Sequence, residues 1–130
     1  MQITNWMTSD PVCITRQDTL ARAKELMDAG RFRRLPVIEN STLEAIITER
    51  DLCQHRGYLD STKVSAAMTS DPVTITPRIT AEDAVRLMLQ HKIGGLPVVE
   101  NGKLVGIVST SDLLRALLDV VQASPQVIEG

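Results

Sequence analysis

Apolar positions along this chain follow two rhythms, a period of two and a period near 3.6, and the rhythms come in the same order in both halves. Val12 and Ile14, and later Val73 and Ile75, alternate with polar neighbours behind a proline that disfavours helix. An extended leading strand is expected over "DPVCIT" and again over "DPVTIT". Beyond it Leu20, Ala23 and Met27, matched by Ala81, Ala84 and Met88, fall at i, i+3 and i+7 and so make one apolar stripe along a helix. Thr19 and Thr80 stand where N-caps belong, and Gly30 is expected to end the first of these helices. "RLPVI" and "GLPVV" then predict short strands. Turns at Asn40-Ser41 and Asn101-Gly102 lead to second strands, "LEAIIT" and "LVGIVS". A closing helix opens at "ERDL" or "TSDL", and residues 57–66 read as a linker.

The shared order reflects a duplication. "MTSDPV" occurs at residues 7–12 and 68–73, an offset of 61, and that offset aligns 7–52 with 68–113 without a gap, with about 21 of the 46 pairs identical. Residues 1–60 and 61–130 are therefore read as two repeats of one α/β (α+β) unit, each strand-helix-strand-strand-helix. Units of ~46 residues bury too little surface to fold well alone, so the halves are expected to pack face to face as a pseudo-two-fold pair.

Four features in register resemble the cystathionine-β-synthase (CBS) domain, and the two repeats together resemble a CBS pair, or Bateman module. They are the Met-Thr-x-x-Pro-Val opening, the amphipathic helix with its late Met, the Leu-Pro-Val strand, and the motif reading "AIITERD" at 45–51 and "GIVSTSD" at 106–112. The resemblance covers nearly the whole chain. It implies a disk of two packed sheets flanked by helices, with two clefts between the repeats that commonly hold adenine-containing ligands. Carried over residue by residue, it places Asp112, Ser109 and Ile107 opposite Met7, Val12, Arg33 and Arg34 in a main cleft, with Arg50 as a further phosphate-binding cation. A second cleft would hold Asp51, Thr48 and Ile46 opposite Met68, Val73, Gly94 and Gly95. The family reading gives each Asp a ribose diol to hold. The spacing of Thr48 with Asp51 and of Ser109 with Asp112 equally suits a capping box, so helix initiation remains open as their only role. The ligand implied is an adenine nucleotide (AMP, ADP or ATP), with S-adenosylmethionine, NAD or an empty dimerisation scaffold as alternatives.

Charge sharpens this picture. The net charge of −2 gives no global attraction to nucleic acid or anionic membrane, so anion recognition must come from a local cluster, and "GRFRR" is the candidate. At the matching place the second repeat carries Gly94 and Gly95, which admit close backbone approach but bring no charge. Nucleic-acid binding is disfavoured by the acidic balance and by a single Phe, Phe32. Neither a phosphate-loop motif nor metal-ligand spacing among His55, His91, Cys13 and Cys53 is found, so no catalytic residue, metal or required cofactor is assigned. Cys13 aligns with Thr74 and reads as a small half-buried side chain. Two unpaired cysteines and no leader point to the cytoplasm. The apolar run at 113–121 falls short of the ~20 residues that span a bilayer. Leu113, Leu114, Leu117, Leu118 and Val121 form a broad apolar face on the last helix, so a homodimer is expected, serving an effector protein the sequence does not identify.

Overall fold

The computed structural model describes residues 2–123. Each repeat contributes a two-residue strand, a helix, a hairpin and a closing helix: β1 Thr8–Ser9, α1 Leu20–Gly30, β2 Arg34–Glu39, β3 Thr42–Thr48 and α2 Glu49–Gln54, then β4 Thr69–Ser70, α3 Ala81–His91, β5 Gly95–Glu100, β6 Lys103–Ser109 and α4 Thr110–Ala123. The caps are those expected. Thr19 Oγ1 accepts from the Arg22 amide and Thr80 Oγ1 from the Asp83 amide, each at 3.1 Å. The hairpins turn through Asn40-Ser41 and Asn101-Gly102, all four residues at positive φ, as two-residue turns matching strand twist require.

The core has two lobes with matching membership. Leu20, Ala23, Met27, Leu35, Val37, Ile47 and Leu52 fill the first lobe, and Ala81, Ala84, Met88, Leu96, Val98, Val108 and Leu113 fill the second. Two further residues sit in the opposite repeat's lobe. Ile3, on a 3₁₀ turn over Ile3–Asn5, is fully buried in the second lobe, and its counterpart Val64, on a 3₁₀ turn over Val64–Ala66, is fully buried in the first. The leading strands cross in the same sense. β1 pairs antiparallel with β6 (Thr8 with Ile107, Ser9 with Gly106), and β4 with β3 (Ala45 with Ser70, Ile46 with Thr69). Two three-stranded sheets result, β2-β3-β4 and β5-β6-β1, joined at a single bridge between Thr42 and Lys103 into one hydrogen-bonded system.

Three local expectations need correction. The leading strands are shorter than "DPVCIT" and "DPVTIT". Asp10 and Asp71 adopt φ of 48° and 50° ahead of prolines, which ends the ladder, and only Ile14 and Ile75 bridge onward, to Val37 and Val98. Bulges at Val37/Ile38 and Val98/Val99 free the Ile38 and Val99 amides to bond the Ile14 and Ile75 carbonyls at 3.0 and 2.8 Å. α1 ends at Gly30 as expected, but the left-handed conformation falls on the next residue, Arg31, at φ 59°, as it does on Lys92 in the second repeat at φ 56°. Gly30 instead makes room for Phe32, whose ring would lie within 2.1 Å of a Cβ there. Residues 57–66 are not a free linker either. Their backbone docks on the start of α1, with Leu20 N–H to Thr62 O at 2.9 Å and Val64 N–H to Asp18 O at 2.8 Å, because Val64 is held in the first lobe.

Candidate functional site

The crossed strands lay the opening of one repeat beside the motif of the other. With β1 paired at Ile107, the chain leaving Thr8 runs past the start of α4, and a cleft of about 390 Å³ opens between them. Of the main-cleft residues expected from sequence, Val12, Arg34, Ile107, Ser109 and Asp112 line it together. Three others lie outside the lining. Met7 packs its thioether on β6, where a Cβ at Gly106 would stand 2.7 Å from Sδ. Arg33 is exposed and lies 3.9 Å from Glu49. Arg50 is exposed and makes no side-chain bond among the described residues.

Several lining residues were not legible as such. Phe32 and Arg31 form one wall, Asp10 and Ser111 contribute polar atoms, and Arg115 reaches in from α4. Phe32 is folded back over Gly30, so the glycine two residues earlier was its signal. Arg115 lies at i+3 from Asp112, the spacing that lets helical side chains meet.

Asp112 is buried and doubly engaged. Its Oδ2 accepts from the Ser109 amide at 2.8 Å and from the Ser109 hydroxyl at 3.1 Å, while the Asp112 amide donates to Ser109 Oγ at 3.3 Å. That is the capping box, and it occupies only one carboxylate oxygen. The other, Oδ1, takes Arg115, whose side chain is 65% exposed and therefore able to swing aside. Asp51 repeats the cap, with Oδ2 accepting from the Thr48 amide at 2.8 Å and hydroxyl at 2.9 Å. Gln54 occupies the position of Arg115, and Asp51 Oδ1 has no hydrogen-bond partner among the described residues. Each carboxylate thus caps its helix with one oxygen, while the other meets Arg115 at Asp112 and has no partner among the described residues at Asp51.

The residues expected to line a second cleft lie on the symmetry-related elements. Ile46 pairs with Thr69 beside Met68, and Thr48 and Asp51 cap α2. Val73 packs against the second lobe. Gly94 and Gly95 lead into β5, and Arg34 covers them: a Cβ on Gly94 would stand 2.8 Å from Arg34 Nη2 and one on Gly95 2.5 Å from Arg34 Cδ. The Arg34 guanidinium is partly buried and makes no hydrogen bond or ion pair among the described residues. Desolvation first, and the neighbouring Arg33 second, lower its pKa. A half-buried cation without a protein anion is an unusual arrangement, since such charges are ordinarily paired.

A larger cavity, about 500 Å³, adjoins the main cleft through Arg31 and Phe32 and opens between α1 and α2. Its floor is apolar (Met27, Leu52), and its rim is charged (Lys24, Asp28, Glu49, Arg56). The matching positions of the second repeat, Val85, Leu89, Leu114 and Leu117, are exposed apolar side chains on α3 and α4. Among the described residues no cluster of His, Cys, Asp or Glu is arranged to hold a metal, and no helix is long and apolar enough to cross a membrane.

Comparison with known proteins agrees with this architecture. The family profile described as CBS domain matches residues 2–57 and again 64–119. The CBS domain-containing protein YhcV of Bacillus subtilis is 34% identical over 82% of this chain and 79% of its own length. An inosine-5′-monophosphate dehydrogenase of Korarchaeum cryptofilum is also 34% identical, over 84% of this chain but only 23% of the enzyme. Among solved structures, AcuB of Vibrio cholerae superposes with a TM-score of 0.87 at 29% identity, covering 97% of this chain and 96% of that one. CBSX2, a CBS-pair protein of Arabidopsis thaliana, was solved in complex with AMP; that structure gives a TM-score of 0.84 at 29% identity, covering 92% of this chain and 97% of its own.

Proposed function

The chain belongs to the CBS-domain family, as a tandem pair of the non-catalytic regulatory kind, and on that premise we propose that it senses adenosine 5′-phosphates, AMP foremost, in the cleft at Asp112. The observation that carries the reading is Arg34, a partly desolvated guanidinium with no anionic partner among the described residues, at a cleft whose other end is the N-terminus of α4. Arginine forks bind phosphate bidentately, and the positive dipole end of α4 favours the same charge. In this arrangement Val12, Pro36, Ile107 and Phe32 give the base its apolar walls. Asp112 Oδ1 accepts from the ribose hydroxyls as Arg115 yields, and Arg34 with Arg31 meets the phosphate. That CBSX2 binds AMP supports the choice of ligand class.

Thermal-shift and calorimetric titration against AMP, ADP, ATP, S-adenosylmethionine and NAD, with GMP and GTP as controls, tests the proposal. A ligand confined to the folded state stabilises it by about 2.7 kcal/mol at a hundredfold excess over Kd, so adenine nucleotides should raise the Tm by several degrees. No shift with any adenosyl compound at millimolar concentration would leave an empty scaffold.

The module acts as a homodimer in this reading, joined through its second repeat. Leu89, Leu114, Leu117 and Leu118 are 73%, 60%, 58% and 54% exposed on α3 and α4, apolar surface of the sort that finds a partner, whereas Leu113 is buried in the second lobe. The corresponding α1 and α2 surface is ringed by charge, so pressing it on those leucines would strip Lys24, Glu49 and Arg56 of water. An isologous contact of α3 and α4 with their own copies avoids that penalty. Cys13 is half-buried and Cys53 exposed, both free, which suits a reducing cytoplasmic setting.

A further inference from the structure

Arg34 is housed by the opposite repeat. It begins β2, yet its side chain lies flat on the backbone where β5 begins: a Cβ on Gly95 would meet Cδ at 2.5 Å, Nε at 2.8 Å and Nη1 at 2.9 Å. Gly94 is equally close, and its carbonyl is held by the Thr110 amide at 3.0 Å and hydroxyl at 3.2 Å, which fixes the shelf to the start of α4. Under the offset of 61 residues Gly95 is the counterpart of Arg34, so the contact lies on the pseudo-two-fold axis of the repeat pair. One guanidinium therefore borders the main cleft and roofs the glycines assigned to the second.

We infer that Gly94 and Gly95 are a resting seat for Arg34 in the ligand-free protein, and that an anionic ligand bound at Asp112 draws the guanidinium off this seat and uncovers the second cleft. The inference rests on the nucleotide reading given above. Three observations carry it: the seat admits nothing larger than glycine while Arg34 occupies it, no anion among the described residues holds the guanidinium there, and the same side chain lines the main cleft. A charged phosphate supplies the missing counter-ion, whereas the neutral nucleoside does not. The two clefts then fill in order, the charged ligand at Asp112 first.

Amide spectra of the ¹⁵N-labelled full chain report the seat directly. In the ligand-free protein, Arg34→Ala should shift the Gly94 and Gly95 resonances. AMP should move the wild-type Gly94 and Gly95 signals toward the Arg34→Ala positions, while adenosine moves those of Thr8 and Ile107 alone. Gly95→Ala, whose methyl evicts the guanidinium from the seat that AMP must otherwise empty, should raise the ratio of AMP affinity to adenosine affinity severalfold; Gly94→Ala provides the same test should Gly95→Ala fold poorly. Shifts at Thr8 and Ile107 with Gly94 and Gly95 unmoved by AMP would overturn the seat and leave the nucleotide reading standing. An unchanged ratio in the glycine variants would do the same. No shift anywhere with AMP or adenosine would overturn the nucleotide reading, and the seat with it.

Discussion

Replacing Arg34 with methionine separates what this residue does for the ligand from what it does for the fold. Methionine keeps an unbranched stem over the Gly95 backbone and removes only the cation and its donors. A hydrogen bond to a charged group contributes roughly 1.5 to 3 kcal/mol where both partners are desolvated, and below about 1 kcal/mol where water reaches them. Arg34 is partly buried and desolvation is the larger cause of its lowered pKa, so the upper range applies. AMP should bind Arg34→Met about 10- to 150-fold more weakly, and adenosine nearly as before. Stability should move the other way. The folded state holds the guanidinium in a poorer medium than water and beside Arg33, so removing it should leave the unfolding free energy unchanged or higher. The sign is fixed by linkage: a lowered folded-state pKa penalises the protonated form, and arginine remains protonated in both states between about pH 5 and 9, so the gain should show no slope there. Calorimetry with AMP and adenosine, and urea unfolding at several pH values, provide the two readouts. Equal weakening of both ligands, or a loss of more than about 1 kcal/mol, would show that Arg34 supports the cleft's structure and not its charge.

Asp112→Asn should lower stability by about 0.5 to 2 kcal/mol in urea, as a weakened cap does, and should also weaken adenosine and AMP alike, whereas Asp51→Asn should match the stability loss and spare the Asp112 cleft. The pair Leu114→Lys and Leu117→Lys should give a monomeric mass by light scattering at tens of micromolar, with the parent chain running as a dimer; equal masses would dismiss the α3/α4 contact. Ile3→Ala deletes a fully buried side chain from the second lobe, so it should cost about 2 to 5 kcal/mol. Hydrogen exchange should then accelerate first in α3 and β5, and acceleration confined to α1 and β2 would contradict the crossed packing.

The helical stripes and hairpins were legible because they are local. Leu20, Ala23 and Met27 declare one face whatever they pack against, and Asn101-Gly102 declares its turn. The crossing was harder to see. Ile3 and Val64 share the repeat offset, but each is a lone apolar residue among polar neighbours, "QITN" and "KVSA", with no period to mark it. Which sheet received the leading strands could not be read from a two-residue segment. Of the candidate residues for the main cleft, Val12, Arg34, Ile107, Ser109 and Asp112 line the cavity, and Met7, Arg33 and Arg50 lie outside it. Arg33 and Arg34 look equivalent in sequence, yet Arg33 lies on the bend ahead of β2 and faces Glu49, while Arg34 begins the strand and lines the cleft. Phe32 was visible only as the single Phe, its ring position set by Gly30 through space.

Covalent fusion of the two repeats permits something a symmetric pair of separate units could not have. A lone repeat directs its leading strand outward and fills its core only by receiving one in return, so it would have to assemble with a second copy. In such a pair of identical chains the residue on the axis faces itself. Arginine would confront arginine, two cations competing for one space, and glycine would confront glycine, leaving the axis without charge. Once both repeats lie on one chain, their association no longer depends on concentration, and the two sides of the axis can diverge. Arg34 against Gly95 is that divergence, a single charge placed where symmetry would have demanded two or none.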